Sequence, residues 1–477
     1  MTRHTHTFLF GWALSGAIAC GNSAQDTPAG PGESCQPTAS ESDCRDGLGC
    51  DPLADGSGNV CGAPVLLTGD VSNALSSTPV AGARLIALNE QGAPVGDVAV
   101  SDAQGKYQLL VPAPRNADGT VATNATWTLS AAAQGYQSFP AGPRPAVPIS
   151  GAQSSGDPAR IDAANTRVSL LPLAAASARD RMIGGMLSGA ESGGALVVAE
   201  GGPSPAPYAI AARDGSFVLF NVPAGEFEIA GYRRGRQFNR AAADTRNGSI
   251  AGLALSDAEQ ALGDVSGNVN IVNAPGGSQT SVVLVPESVF DPALERGPVP
   301  FGLRAPEPPA LPSISGAFGV NGVPTGRYVV LAAFENDHLV RDPDAAIGGT
   351  DIQRVTVAEG QTVSMAESFK ITEHLALVGP GAETPESVSG APLFRWADDS
   401  SEDRYELELY SALGDLVWAD RAIAGVSGSS TVERLYAGPA LIPGMIYQFR
   451  VTSFRDQRGS ATAISRSEDL RGVFSYE

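Results

Sequence analysis

The stretch Gly215–Phe227 reads Gly-Ser-Phe-Val-Leu-Phe-Asn-Val-Pro-Ala-Gly-Glu-Phe, and its pattern decides the fold. A glycine is followed two residues later by an aromatic side chain, and then by a Val-Pro pair, a glycine and a second aromatic side chain. The whole pattern recurs in Gly316–Tyr328, and its first half recurs in Gly105–Pro112, which lacks the final glycine. Such self-similarity predicts several copies of one structural module along the chain.

The segments around these copies alternate polar and apolar residues with the period of a half-buried β-strand. Glu226–Ile229 places carboxylates on one face and apolar side chains on the other. In Asn221–Gly225 a proline removes a backbone donor and a glycine is expected to supply a positive φ, so this segment predicts a turn. Short strands with such turn signals predict an all-β chain of tandem β-sandwich modules after a small disulfide-rich module.

Length and charge agree with this interpretation and limit the partners. The chain has 477 residues, which is room for roughly three or four domains. Its net charge of −20 disfavours nucleic acid as a partner, because phosphate backbones repel such a surface. Lysine occurs only at Lys106 and Lys370, so nearly all of the positive charge is arginine. One basic cluster, which fits either an anion site or a solvated strand end, consists of Arg233, Arg234, Arg236 and Arg240.

The N-terminal segment is expected to be an export signal. The apolar run Phe8–Ala19 is too short for a membrane-spanning helix and fits the apolar region of a signal peptide. It ends in Leu14–Cys20, which resembles a bacterial lipobox although Ala17 stands where leucine is usual. The resemblance implies that Cys20 becomes lipidated and N-terminal after cleavage, whereas the Ala-Ile-Ala before it also fits a plain signal peptidase site. A flexible tether is expected to follow, as far as about residue 34.

The remaining cysteines form a group of four, namely Cys35, Cys44, Cys50 and Cys61. An even number of cysteines in a short stretch of an exported chain predicts two disulfides, and the sequence leaves their connectivity open. A zinc site is the weaker alternative, because there is no C-x-x-C pair. The group resembles small cysteine-rich modules that follow the anchor in some bacterial surface lipoproteins.

Between about Pro64 and Lys370 the chain resembles the carboxypeptidase regulatory-like family. Pro79–Ala83 and Gly105–Tyr107 carry the resemblance in the first copy, and the Val-Pro-x-Gly segments carry it in the other two. The resemblance implies transthyretin-like β-sandwiches. It also leaves glycan binding open, because the broader superfamily includes carbohydrate-binding-like sandwiches.

The third copy contains a proline-rich insertion of about residues 287–313. Loops that a rigid scaffold positions are common sites of binding, so Phe290, Phe301 and Arg304 are the candidate ligand-contacting residues. The alternative is a surface loop stiffened by proline, with its phenylalanines packed inward.

From about Glu373 the chain resembles a fibronectin type III domain. The segment Leu441–Val451 and an early tryptophan, Trp396, carry this resemblance. It implies that Trp396 belongs to the core and that the hydroxyl of Tyr447 bonds back to the backbone. A nearby acidic patch, which fits either a Ca²⁺ site or a solvated turn, consists of Asp398, Asp399, Glu402 and Asp403.

No catalytic motif is recognisable, and His338 and His374 are the only histidines after the leader. We therefore assign no catalytic residue, metal or cofactor. The sequence predicts a non-enzymatic, lipid-anchored protein of the outer membrane or cell surface that acts as a binding or structural module. Its partners would be the membrane, through the lipid, and a glycan, the cell wall or an envelope protein. The alternatives are a hydrolase with an atypical carboxylate site and a purely mechanical spacer.

The predicted segments are a signal peptide (1–20), a tether with the cysteine module (21–63), two carboxypeptidase regulatory-like sandwiches (64–178 and 179–262), a sandwich with the long insertion (263–372) and a fibronectin-like sandwich (373–477). The last four are called the first to fourth modules below.

Overall fold

The structure is a computed structural model of the chain. It describes residues 28–37, 43–173, 179–189, 191–272, 279–332, 336–343, 351–399, 401–426, 431–457 and 460–477. The predicted signal peptide and Cys20 therefore lie outside the described residues. The described chain consists of β-strands with a few single-turn 3₁₀ helices, which confirms the all-β prediction.

The cysteine module contains one antiparallel hairpin, β1 (Gly49–Pro52) with β2 (Asn59–Gly62). Disulfides join Cys35 to Cys50 and Cys44 to Cys61. Cys50 on β1 and Cys61 on β2 face each other across the hairpin. Each disulfide therefore joins one strand of the hairpin to a different upstream segment. The prediction of two disulfides is confirmed, and they supply the core that so short a segment lacks.

The first module is a sandwich of two four-stranded sheets. One sheet has the order β10-β3-β6, with β9 also pairing with β3, and the other has the order β5-β4-β7-β8. Its strands are β3 (Val65–Asn73), β4 (Arg84–Leu88), β5 (Pro94–Val100), β6 (Lys106–Val111), β7 (Thr126–Ala132), β8 (Ile149–Ser150), β9 (Arg160–Ile161) and β10 (Val168–Leu170).

The second module packs a three-stranded sheet, β14-β11-β18, on a five-stranded one, β13-β12-β15-β16 with β17 on β15. Its strands are β11 (Arg181–Leu187), β12 (Leu196–Glu200), β13 (Tyr208–Ile210), β14 (Ser216–Val222), β15 (Glu226–Arg233), β16 (Arg236–Gln237), β17 (Ala241–Asp244) and β18 (Ile250–Leu255).

The third module repeats this plan with sheets β22-β19-β27-β24, where β26 also pairs with β19, and β21-β20-β23-β25. Its strands are β19 (Gly263–Val272), β20 (Val282–Pro286), β21 (Arg304–Ala305), β22 (Ala317–Val323), β23 (Gly326–Ala332), β24 (Leu339–Arg341), β25 (Gln353–Val357), β26 (Thr362–Ser364) and β27 (Phe369–Glu373).

The fourth module has a three-stranded sheet, β28-β30-β33, and a six-stranded one, β29-β36-β34-β31-β32 with β35 on β34. Trp396 is fully buried in its core, and the hydroxyl of Tyr447 accepts a hydrogen bond of 2.8 Å from the backbone N–H of Ile442. Its strands are β28 (Leu377–Gly379), β29 (Glu386–Val388), β30 (Leu393–Ala397), β31 (Arg404–Ser411), β32 (Leu416–Ala424), β33 (Thr431–Leu435), β34 (Ile446–Gln457), β35 (Ser460–Arg466) and β36 (Val473–Tyr476).

The repeated sequence pattern occupies the same position in the first three modules. In each, the strand that carries the first aromatic residue (β6, β14 or β22) pairs antiparallel with the first strand of its module (β3, β11 or β19). The aromatic residues Tyr107, Phe217 and Phe318 are all buried. In the second and third modules the Val-Pro-x-Gly turn then carries the chain into the opposite sheet, at β15 and β23.

The glycines of the repeated pattern are needed for different reasons. One of them, Gly225, lacks the positive φ that the sequence predicts for it. Gly105 and Gly215 have positive φ, and a Cβ on either would lie 2.4 Å from a backbone carbonyl. In the predicted turn, Asn221 rather than Gly225 has the positive φ, at 59°. Gly225 instead lies beside an aromatic ring, because a Cβ there would be 3.2 Å from Cζ of Phe227. The glycine makes room for the ring and does not set the turn.

A sheet of the second module packs on two cores, its own and that of the third module. In β12, Val197 and Ala199 face the interior of the second module, whereas Leu196 and Val198 pack with the core of the third. Strand β12 is therefore buried on both faces, which explains its nearly continuous apolar sequence.

The fourth module folds back onto the first. The side-chain amide of Gln137 donates a hydrogen bond of 2.8 Å to the carbonyl of Ala412, and Leu171 is buried in the core of the fourth module. The first module also contacts the second, because Arg84 donates to the carbonyl of Ser216 at 2.9 Å. The four modules thus form a closed arrangement. The described part of the chain has no helix long and apolar enough to cross a membrane.

Candidate functional site

Of the three candidate ligand-contacting residues, the structure buries Phe290 and leaves Phe301 and Arg304 half-buried. Phe290 is only 3% exposed and belongs to the core shared by the second and third modules, so its side chain offers no surface to a ligand. Phe290 packs inward, as expected from the alternative interpretation of the insertion as a proline-stiffened loop. The prediction for Phe290 is therefore corrected by its burial.

Phe301 and Arg304 are half-buried beside the second module and the third-module core. The guanidinium of Arg233 lies 4.9 Å from the ring centroid of Phe301, and Arg304 donates to the hydroxyl of Ser281 at 3.1 Å. Ligand contact by these two residues stays a prediction.

The insertion contains a short segment, Asp291–Arg296, that contacts three modules, and we call it the hub. Arg450 of the fourth module donates hydrogen bonds to the carbonyls of Ala293 (3.0 Å) and Leu294 (2.7 Å). Arg296 donates to the carbonyl of Gly142 in the first module at 2.9 Å. The sequence suggests a surface loop, whereas in the structure the hub of the insertion connects the third module to the first and the fourth.

Glu295 is the charged centre of the hub. Its carboxylate lies 3.1 Å from Arg341 of the third module and 3.1 Å from Arg466 of the fourth. Burial alone would raise the pKa of Glu295, but the guanidinium groups of Arg466 and Arg341 hold it below its usual value. The carboxylate is therefore charged at neutral pH and links the two modules.

No local pattern in the sequence marks Glu295, Arg450 or Arg466 as junction residues. The available signal was compositional, because 29 of the 31 basic residues are arginine once Lys106 and Lys370 are set apart. Arginine is the cation that suits buried ion pairs, since its planar guanidinium satisfies several acceptors at once.

The arginines of the basic cluster have partners both within the second module and in the third. Arg240 pairs with Glu228 at 2.6 Å, and Arg234 pairs with Glu307 of the insertion. Beside them, the hydroxyl of Tyr232 donates to Glu200 at 2.7 Å, and its ring packs edge-on against Tyr328, with centroids 5.9 Å apart. These contacts favour a structural role for the cluster over a free anion site, and Arg234 joins the second module to the third.

The cysteine module is held to the first module by a buried ion pair. Nε of Arg115 lies 2.9 Å from Oδ2 of Asp51, and the side chains are 6% and 2% exposed. Arg115 also donates to the carbonyl of Ala63. Burial raises the pKa of Asp51 to about 6, even though the charge of Arg115 and its hydrogen bond act in the opposite direction.

The acidic patch of the fourth module is hydrogen-bonded to neighbouring strands of the same module. The hydroxyl of Tyr405 donates to Asp398 at 2.9 Å, and the hydroxyl of Ser453 donates to Asp399 at 3.0 Å. These contacts favour a structural turn, and they contribute nothing that points to a bound cation.

The two histidines are brought together at the junction of the third and fourth modules. The ring centroids of His338 and His374 are 5.4 Å apart, and Nδ1 of His374 lies 3.9 Å from Oε2 of Glu468. Glu468 is fully buried, and burial raises its pKa to about 7. The side chain of His338 is exposed, and no local pattern in the sequence indicates that His374 and Glu468 lie beside it.

Two clefts on the described surface are small. One, of about 40 Å³, is lined by Glu295, Arg341, Arg466 and residues of the third-module core. The other, of about 30 Å³, lies between the first and second modules near Arg84 and Tyr208. Pockets for organic ligands measure roughly 300–1,000 Å³, so each of these clefts has room for little more than water.

No protein-family model matches the chain, and no curated protein matches it. Similar solved structures include the TIE protein of Bacillus anthracis (12% identity, 83% of this chain and 68% of that chain, TM-score 0.16). They also include two B repeat units of the collagen-binding protein of Staphylococcus aureus (10% identity, 86% and 98%, TM-score 0.18) and a minor pilin of Streptococcus agalactiae (11% identity, 43% and 100%, TM-score 0.18). At these identities and TM-scores, the likeness assigns neither a family nor a ligand.

Proposed function

We propose that this chain is an exported, lipid-anchored and non-catalytic protein of the bacterial outer membrane or cell surface, and that its four sandwiches serve as one rigid binding or structural block. The observation that carries the proposal is the set of buried contacts at the module junctions, above all the hub. A block fixed in this way presents its outer loops in constant relative positions, which favours recognition of an extended partner such as a glycan, the cell wall or an envelope protein.

The cysteine module supports the exported location. Disulfides persist in oxidising compartments and are rare in the cytosol, and this module has two. The ion pair between Asp51 and Arg115 holds the module against the first sandwich. An anchor at Cys20 would therefore be followed by a short tether and then directly by the rigid block.

Replacing Cys20 by alanine is expected to move the protein from the membrane fraction to the soluble fraction. The Ala-Ile-Ala sequence before residue 20 would still allow export and cleavage, whereas the thiol that carries the lipid would be absent. The measurement is cell fractionation followed by immunoblotting. Ala17→Leu, which restores the residue usual in a lipobox, is the control and should stay with the membrane.

A Cys20→Ala protein that remains in the membrane fraction would contradict the lipid anchor. The non-catalytic part of the proposal is tested separately, by incubating the chain from residue 21 onward with glycan arrays and with generic ester, peptide and glycoside substrates. We expect saturable binding without turnover. Turnover that is lost on substitution of a single acidic residue would favour the hydrolase alternative instead.

A further inference from the structure

The chain after residue 20 contains only two histidines, and the fold brings them together although 36 residues separate them. His338 follows the third-module strand β23, and His374 follows β27. Glu468 lies beside both, on the segment that follows β35 of the fourth module. Each residue offers one ligand atom, and the three atoms lie within 4.8 Å of one another.

We propose that His338, His374 and Glu468 form a binding site for a divalent transition-metal ion of the Zn²⁺ type at the junction of the third and fourth modules. Two imidazoles with one carboxylate suit ions of borderline softness, whereas Ca²⁺ and Mg²⁺ prefer oxygen ligands alone. Three protein ligands would leave the remaining coordination positions to water.

The dimensions fit such an ion after a small movement. Zn²⁺ binds nitrogen and oxygen at roughly 2.0–2.2 Å, so two ligands in tetrahedral geometry lie about 3.4 Å apart. The three candidate ligand atoms already lie within 4.8 Å of one another. His338 is exposed, so rotation of its side chain can bring the third ligand closer.

Contacts within the cluster already orient the ligands. The backbone N–H of His338 donates to Oε1 of Glu468 at 2.8 Å, and Nδ1 of His374 lies 3.0 Å from the carbonyl oxygen of His338. Asn336 and His338 both have positive φ, at 59° and 66°, which non-glycine residues rarely adopt. Backbone of this kind is concentrated at functional sites, where the surroundings hold it in place.

The buried carboxylate of Glu468 also lies beside the guanidinium of Arg471. Nε of Arg471 lies 3.5 Å from Oε2 of Glu468, while its Nη1 is bound at 2.8 Å to Glu383. Arg471 can therefore keep a partner when a metal ion takes the carboxylate of Glu468. Because one ligand belongs to the third module and two to the fourth, a bound ion would fasten the two modules to each other.

The test is titration of the chain from residue 21 onward with Zn²⁺ alone, followed by calorimetry and by NMR of the imidazole C–H protons. We expect one ion per chain and simultaneous shifts of the resonances of both histidines. His374→Ala should weaken binding by more than the roughly 10–100-fold that loss of an outer partner costs. Zn²⁺ should also raise the melting temperature of the wild type.

Glu373→Gln is the matched control, because Glu373 is exposed and directly precedes His374. Glu468→Gln, which removes a ligand, should weaken binding as His374→Ala does. Glu373→Gln removes the same charge without removing a ligand, so binding should change less than about twofold, within the range of screened surface charges. Zn²⁺ that leaves both imidazole resonances of the wild type unmoved would overturn the site. Equal affinities of His374→Ala and wild type would overturn it as well.

Discussion

Glu295→Gln is expected to loosen the fourth module from the third and to lower the free energy of unfolding by about 3 kcal/mol, because breaking a buried ion pair leaves uncompensated charge. The charges left behind belong to Arg341 and Arg466, whose side chains are only 19% and 17% exposed. Urea unfolding followed by tryptophan fluorescence measures the loss, and hydrogen exchange across the junction locates it.

The chain provides a closely matched control in Glu287→Gln. Glu287 also bridges two arginines, Arg327 at 2.7 Å and Arg354 at 3.2 Å, and its side chain has the same 27% exposure as that of Glu295. The two arginines are 72% and 53% exposed, however, so water can solvate them once the carboxylate is gone. Its loss should cost at most about 1 kcal/mol. Equal effects of the two substitutions would contradict the role of the hub.

The hub should also depend on pH. The pKa of Glu295 is lower in the folded protein than its ordinary value of 4.5, so the unfolded chain takes up the proton first as the pH falls. The stabilisation is therefore complete above pH 4.5 and is lost as the pH falls through the lower folded value. The difference in the free energy of unfolding between wild type and Glu295→Gln should therefore shrink as the pH falls through that range.

Arg115→Ala is expected to release the cysteine module from the first module. The substitution leaves the carboxylate of Asp51 buried without its partner, at a cost of about 3–5 kcal/mol. It also removes the hydrogen bond to the carbonyl of Ala63. Because the disulfides hold the module together, we expect undocking rather than unfolding. Faster proteolysis between residues 62 and 65 would report it, as would faster amide exchange at Ala54, whose N–H donates to the backbone carbonyl of Arg115.

Arg160→Ala is the control for this prediction, because Arg160 pairs with Asp162 at 3.4 Å and both side chains are more than half exposed. It should leave proteolysis unchanged.

Since the folded pKa of Asp51 is raised from 3.8 to about 6, docking should weaken as the pH rises between these values and stay constant above them. Docking that strengthens over this interval, or an undocked module in Arg160→Ala, would contradict the account.

Strands and disulfides of this protein could be predicted from its sequence because they depend on residues that lie close together in the chain. The repeated pattern correctly indicated the strands β6, β14 and β22, and the grouping of four cysteines indicated two disulfides. Alternation in Glu226–Ile229 likewise indicated a half-buried strand, which lies in β15. Period-2 patterning and turn chemistry act over a few residues, so one sequence suffices to recognise them.

The arrangement of the modules could not be predicted in the same way. Asp291–Arg296 has the composition of a solvated loop, and only the partners brought from Arg341, Arg450 and Arg466 make it a buried junction. Likewise, His374 and Glu468 are 94 positions apart, and no local pattern relates them. Contacts between distant surfaces depend on shape and charge complementarity that a single sequence does not display.

The central claim is that four sandwiches close into one block, and small-angle scattering of the chain from residue 21 onward tests it most directly. A globular chain of this length has a radius of gyration of about 22 Å, whereas four sandwiches placed end to end would have one of about 40 Å. The contacts of the fourth module with the first, through Gln137 and Leu171, predict a value much closer to the smaller one. A value near 40 Å would contradict the closed block and favour the extended spacer.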